Sequence, residues 1–300
     1  MTWIEYALIY CKKKPECFNL VASLENFLKN RGVKEIVVIV ADNIDSADRR
    51  SLLSTATEHR NTSLLIVLGG DGTFLSAVRW LADVPVPVVG INLGSLGFLT
   101  EISRQSCFED LGKIVEGNYV LEERMRFDVK VVRGDEVVYE QTVLNDAVIN
   151  KGALARIIDL EAYINGCFLT HYRADGLIVS TPTGSTAYNI SAGGPIICPT
   201  ARVAVITPIC SFTLSDRPIV IPAPFTIEIF LTSREQEVYL TCDGQTGCYL
   251  SPEHVVRINV SEYPLRFIKP PALDFFEILR TKLKWGQPVE PVRQDLTGCK

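Results

Sequence analysis

One carboxylate set among glycines is where chemistry is most plainly written in this sequence. Asp71 stands in Gly69-Gly70-Asp71-Gly72-Thr73, directly after the apolar run Leu64-Leu65-Ile66-Val67-Leu68. Glycines let backbone N–H groups close on an anion, and a helix N-terminus favours negative charge there, so the loop reads as a phosphate cradle. A carboxylate beside phosphate is repulsive unless it holds a divalent cation or takes a proton from an attacking hydroxyl. A plainer account has Asp71 capping the helix that follows. Residue type alone leaves both open.

Three further groups could share in such chemistry. Gly90-Ile91-Asn92-Leu93-Gly94-Ser95-Leu96-Gly97-Phe98 is a second flexible loop, or a plain strand-to-helix connection. Neither glycine loop spells Gly-x-Gly-x-x-Gly, which disfavours a hydride-transferring Rossmann enzyme. Asn145-Asp146 interrupts a β pattern, either as a bulge or turn or as an amide and carboxylate able to bond an adenine edge and ribose hydroxyls. The densest polar cluster runs from Asp175 to Tyr188, with Ser180, Thr181, Thr183, Ser185 and Thr186 between them, then Ser191. Any one hydroxyl could cap a short helix. As a set they suit a nucleoside, with Tyr188 offering a ring face and Asp175 accepting hydrogen bonds. Arg156 and Arg173 read as strand-borne cations, for which surface solubility is the simpler account. His171 reads as structural. No Ser-His-Asp, His-Glu-x-x-His or Walker-type pattern occurs, so hydrolase, zincin and P-loop readings lack support.

The elements around these groups divide the chain in two. Residues 2–10, 36–40, 64–68 and 86–91 read as strands, the second and third as buried runs. Helices alternate with them. Pro15 opens one that ends at Gly32, a polar one lies near 45–59, one starts at Thr73 and stops before Pro85, and one spans about 104–116. Apolar strands alternating with helices imply a parallel sheet covered on both faces, with ligands at the carboxyl ends of its strands. After about Tyr119 short alternating strands take over, divided by Arg133-Gly134-Asp135, Asn165-Gly166 and Asp243-Gly244, the second a strong two-residue hairpin signal. Helical periodicity returns only at 273–285. The expected architecture is α/β plus β: a Rossmann-like parallel α/β domain over 1–119, joined by about 269–300, and a mostly-β domain over 120–268. The late helix is expected to return to the first domain, and the polar tail from Gly286 to be mobile.

Composition sets outer limits. The 300 residues are 47% hydrophobic, ample for two cores, and the net charge of −5 disfavours a nucleic-acid or anionic-membrane partner. No apolar run is long enough to span a bilayer. Nine scattered cysteines without a Cys-x-x-Cys pair suit reduced thiols in a cytoplasmic setting rather than zinc or disulfides.

Taken together, the motifs resemble those of bacterial NAD kinases. The matching segments are Gly69–Thr73, Asn92–Phe98, Asn145-Asp146, Asp175–Tyr188 with Gly193-Gly194-Pro195, Arg217–Pro222, and Asp243-Gly244-Gln245, in the family's order. Gly-Gly-Asp-Gly alone is shared with lipid kinases and phosphofructokinases, whereas the 175–188 segment is highly specific. The resemblance implies transfer of the ATP γ-phosphoryl to the adenosine ribose 2′-hydroxyl of NAD, with Mg²⁺ or another divalent metal on ATP. It implies that Asp71 is the proton acceptor, that Gly69, Gly70, Gly72 and Thr73 form the phosphate loop, and that Gly72 lies against the substrate. Asn145 and Asp146 would hold the adenosine. Thr186, Ala187, Tyr188, Asn189 and Ser191 would line its pocket, and Asp175 would face the nicotinamide side. Arg156, Arg173 and Gln245 also fall on family binding positions. Many members have Glu where this chain has Asp146, so a shorter reach is expected. A homo-oligomer, dimer or tetramer, in which a neighbour completes the pocket is implied as well. Another kinase with the same loop, acting on a lipid or sugar, and a non-catalytic NAD(P) sensor are the competing readings.

Overall fold

The computed structural model describes residues 3–41, 46–59, 63–152, 156–233, 237–271 and 274–285. The chain runs β1 (Tyr6–Cys11), α1 (Pro15–Asn30), β2 (Glu35–Val40), α2 (Ser46–Glu58), β3 (Ser63–Leu68), α3 (Asp71–Leu81), β4 (Val88–Asn92), β5 (Ile102–Ser103) and α4 (Cys107–Val115). Then come β6 (Val120–Arg124), β7 (Phe127–Arg133), β8 (Glu136–Val143), β9 (Asp146–Lys151), β10 (Ile158–Ile164), β11 (Cys167–Ala174) and β12 (Gly176–Ser180). A 3₁₀ turn at Thr183–Thr186 leads to α5 (Tyr188–Ser191), β13 (Val203–Ile209), β14 (Ile219–Pro222), β15 (Thr226–Leu231), β16 (Val238–Cys242) and β17 (Thr246–Leu250). The last elements are β18 (Val255–Val260), β19 (Leu265–Lys269) and α6 (Phe275–Leu283).

The first sheet has the order β2-β1-β3-β4-β19-β6, with β5 beside β4. All its pairings are parallel except β19 with β6. Alternate residues of its central strands feed two cores, as the period of a strand requires. Ile9, Leu64, Ile66 and Leu68 meet Leu20, Leu24 and Leu28 of α1 and Leu111 and Ile114 of α4. Leu8, Tyr10, Leu65 and Val67 meet Phe74, Val78 and Leu81 of α3. Covering on both faces follows the sequence reading. Its buried second strand does not, because β2 is the sheet edge and most of it is only half-buried.

Two antiparallel six-stranded sheets form the β-rich part, ordered β11-β10-β15-β18-β7-β8 and β14-β13-β12-β9-β16-β17. They share one core, where Val129, Leu160 and Ile227 of one sheet pack with Ile149, Leu177, Ile206 and Leu240 of the other. Asn165 and Gly166 take φ of +51° and +77°, the left-handed pair of a two-residue hairpin turn between β10 and β11. Strands β6 and β19, drawn from the two ends of the β-rich stretch, pair into the first sheet. The two short helical pieces at 183–191 have too few turns to show a period. Helix α6 lies against the second glycine loop, with Lys282 Nζ donating to Leu96 O at 2.8 Å and sitting 4.9 Å from the Phe98 ring. The tail from Gly286 falls outside the described residues.

Candidate active site

The first glycine loop sits where β3 stops. Strand and helix are two residues apart, so Gly69 and Gly70 must turn the chain at once, and α3 begins at Asp71 itself, two residues earlier than the periodicity indicated. Gly69 has φ +155°, and a Cβ there would lie 2.6 Å from Thr73 Oγ1. Gly70 is the N-cap in extended conformation.

Asp71 does not cap its own helix. Its side chain crosses to the second glycine loop, where Oδ2 accepts from Phe98 N at 2.9 Å and Oδ1 from Leu99 N at 3.0 Å and Thr100 N at 3.2 Å. Thr100 Oγ1 donates to Oδ1 at 3.2 Å and itself accepts from Asn92 Nδ2 at 2.9 Å. A Cβ on Gly97 would stand 2.0 Å from Asp71 Oδ1, so only glycine lets the loop approach this closely. The two glycine loops are therefore one device that fixes a carboxylate at a helix N-terminus.

Beside it opens a cavity of about 290 Å³, lined by Gly69, Gly70, Thr73, Asn92, Gly94 and Ser95, with Lys12, Lys14 and Glu16 also on its wall. Backbone amides, a helix start and two ammonium groups suit a phosphate chain. The two lysines were missed in the sequence reading. Their signal was the Lys12-Lys13-Lys14 run directly after β1, at the carboxyl end of a strand.

A second cavity, about 350 Å³, lies on the β-rich part and is lined by Asn145, Asp146, Asn150, Ala187, Tyr188 and Gly244, among others. The Asn145-Asp146 break is held from the turn after β16. Asp243 accepts from Leu144 N at 3.0 Å, Asn145 N at 2.7 Å and Asp146 N at 3.2 Å. Burial, and then the neighbouring Asp243 charge, push the Asp146 carboxyl up to about 7. Burial raises Asp243 too, but its three N–H donors oppose the rise.

Gln245 ties the two halves together. Its Nε2 donates to Gly72 O at 2.7 Å, while its Oε1 accepts from Ser76 Oγ at 3.2 Å and from Arg79. The turn that organises Asn145 and Asp146 is thereby bonded to the helix that carries Asp71.

The remaining expected residues scatter. Thr186 is half-buried and donates to Thr183 O at 3.4 Å, while Ser191 is exposed. Asn189 has no exposed surface; its amide donates to Ser185 O and Pro195 O and accepts from Thr207 Oγ1, so it braces the turn from inside. Asp175 pairs with Lys151 at 2.9 Å. Arg173 lies exposed on β11 with its guanidinium 5.2 Å from the Phe212 ring. Arg156 is not strand-borne, since β10 begins at Ile158, and it too is exposed. His171 is exposed on β11, 3.8 Å from Asp159.

Comparison with known proteins decides what this arrangement belongs to. The ATP-NAD kinase N-terminal domain matches residues 8–119 and the ATP-NAD kinase C-terminal domain matches residues 144–270. The chain belongs to the ATP-NAD kinase family. An NAD kinase of Syntrophobacter fumaroxidans is 52% identical over 281 residues, covering 94% of this chain and 98% of that one. An NAD kinase of Geobacter metallireducens is 45% identical over 273 residues, with 91% and 95% covered. Among solved structures, an Archaeoglobus fulgidus NAD kinase in complex with ATP superposes with a TM-score of 0.73 at 27% identity, covering 93% of this chain and 98% of that one. A yeast NADH kinase complexed with NADH shares the fold, with a TM-score of 0.81 at 23% identity over 97% and 90% of the two chains. As an ATP-NAD kinase the chain makes NADP from NAD and ATP. Membership also sets aside the lipid-kinase, sugar-kinase and non-catalytic sensor readings.

Proposed function

We propose that Asp71 accepts the proton of the adenosine ribose 2′-hydroxyl while the γ-phosphoryl of ATP is transferred to it. The observation that carries this reading is the cradle of Phe98, Leu99 and Thr100 around the Asp71 carboxylate, bonded through Gln245 to the turn that shapes the Asn145–Asp146 pocket. ATP phosphates would occupy the cavity of Gly69, Gly70, Thr73 and Asn92, with Lys12 and Lys14 facing their charge. Adenosine would lie against Tyr188 and Ala187, bonded by Asn145 and Asp146. Thr186 and Asn189 support that wall, and Asp175, Arg156, Arg173 and Ser191 would serve the rest of the dinucleotide.

Phosphoryl transfer asks chiefly for alignment and charge neutralisation. Among the described residues no group of three or more His, Cys, Asp or Glu could cage a metal. The oxygen donors of the glycine-loop cavity, Glu16, Thr73 and Asn92, instead suit Mg²⁺ that arrives on ATP and keeps its phosphate and water ligands. When bound, it neutralises phosphate charge. The protein aligns the hydroxyl and receives its proton.

Two features bear on setting and assembly. The eight described cysteines are all free thiols, which supports a reducing, cytoplasmic location. No described helix is long and apolar enough to cross a membrane. Phe212 and Leu214, 67% and 91% exposed on the loop after β13, support a homo-oligomer in which a second copy covers this edge of the dinucleotide site.

Asp71→Asn tests the assignment. General-base assistance contributes ~10²–10⁴-fold, so turnover should fall by that order while the NAD KM stays nearly constant. Near-full turnover in the variant would end the base role.

A further inference from the structure

Directly behind the Asp71 cradle lies a buried cluster of charges with no part in the reaction as described so far. Glu101 follows Thr100, whose N–H and O–H both bind Asp71. Its carboxylate is 4.0 Å from Arg124 Nη2, which reaches Glu122 at 2.7 Å; Glu122 in turn holds Lys269 at 2.5 Å. Glu101 is 6% exposed and Arg124 3%. Glu101 Oε2 and Arg124 Nε have no hydrogen-bond partner. The guanidinium lies 4.7 Å from the Phe267 ring, which packs on Phe74 of α3 at 5.7 Å.

Buried ionic groups with orphaned atoms are poor stabilisers, and apolar residues of the same volume often do better. A placement this costly, one residue from the Asp71 cradle, calls for a use beyond packing. Arg124 and Glu122 belong to β6 and Lys269 to β19, the strands by which the chain enters and leaves the β-rich part. The cluster thus joins the cradle loop to the frame that carries the dinucleotide pocket.

We propose that Glu101 is a positioning residue for the phosphoryl transfer, fixing the Thr100 donors to Asp71 and setting by its own proton how much negative charge stands behind that base. The inference rests on the reading of Asp71 as proton acceptor. The groups facing Glu101 are Arg124 and Lys269, which favour its charge, and Glu122 and Asp71, which oppose it. Burial outweighs them and pushes its carboxyl up to about 7. Glu101 therefore changes charge within the working pH range. Once ionised, it makes the arrival of a proton on Asp71 more favourable, because like charges resist sharing one site.

The test is kcat as a function of pH from 5.5 to 9 for the full-length protein with NAD and MgATP, comparing wild type with Glu101→Gln, the neutral isostere. Wild-type kcat should contain a rise of about three- to tenfold through pH 7, the scale of a like-charge neighbour's effect on a general base. Glu101→Gln should lack that rise and hold the low-pH rate throughout, with the NAD KM unchanged. A substrate-free measurement guards against a folding defect. Glu101 costs stability as pH climbs from its ordinary range to 7, so the Tm advantage of Glu101→Gln should grow between pH 5 and pH 8. Glu101→Asp, which keeps a carboxyl, should restore the rise with a displaced midpoint. A Glu101→Gln profile parallel to wild type, or a Tm difference that does not vary with pH, overturns the proposal. Asp71→Asn in the same series separates the two failures: if it keeps its turnover the base reading falls and this inference with it, whereas an inactive Asp71→Asn beside a parallel Glu101→Gln profile removes the inference alone.

Discussion

At the residue scale, the two carboxylates of the site are held in opposite ways. Asp71 accepts four hydrogen bonds from one loop, an arrangement that fixes an anion. Asp146 is 4% exposed, lies beside Asp243, and is pushed up to about 7. Its unfolded value is near the ordinary aspartate range, so its burial costs stability that grows as pH rises to 7 and is constant above. Under the proposed binding role, that cost has a use. Adenine and ribose offer hydrogen-bond donors, which an ionised Asp146 accepts and a protonated one accepts less well. The NAD KM of the wild type should therefore rise as pH falls below 7. Asp146→Asn should raise it about tenfold at pH 8, the order of one charge-assisted hydrogen bond, and should flatten its pH dependence. A variant KM that still climbs on acidification would assign the effect to another group.

At the element scale, the decisive join is between α3 and the turn linking β16 to β17. Helix α3 buries Phe74, Ala77, Val78 and Leu81 against the sheet and leaves Gly72, Ser76 and Arg79 on the face that meets Gln245. That turn takes left-handed φ at Asp243 and Gly244, which frees the Asp243 carboxylate to gather three consecutive N–H groups. One turn thus sets both the pocket wall and the helix that carries Asp71. A hydrogen bond contributes a net ~0.5–1.5 kcal/mol, so losing the Gln245 set should lower kcat/KM by about 10–100-fold in Gln245→Ala. Misalignment of the halves predicts that much of the loss appears in kcat. A change confined to the NAD KM would make Gln245 a simple contact residue.

At the scale of the whole molecule, a mostly parallel α/β sheet and a β-sandwich are stitched by β6 and β19, and Gln245 of the sandwich is bonded to Gly72 beside Asp71. Among the described residues the most exposed large apolar side chains are Phe212 and Leu214 of the sandwich, and Phe212 lies against Arg173. Leu214→Asp should leave the far-UV circular dichroism unchanged, lower the sedimentation coefficient, and raise the NAD KM about tenfold if a neighbouring copy covers the site. An unchanged sedimentation coefficient would take this loop out of the assembly.

The sequence by itself determined what depends on near neighbours. Continuous apolar runs gave the covered parallel sheet, Asn165-Gly166 gave its hairpin turn, and the glycine motif marked where β3 gives way to α3. Each of these is decided within a few residues by backbone sterics and side-chain period. The tertiary structure decided what lies across the fold. Phe98, Leu99 and Thr100 hold Asp71 from 27 to 29 positions away, and Gln245 meets Gly72 from 173 away. The same holds for the inward turn of Asn189, the edge position of β2 and the lysines beside the first glycine loop. Which partner a polar side chain finds at such distances follows from how the sheets stack and where their strands end, and no local spacing of residue types encodes that.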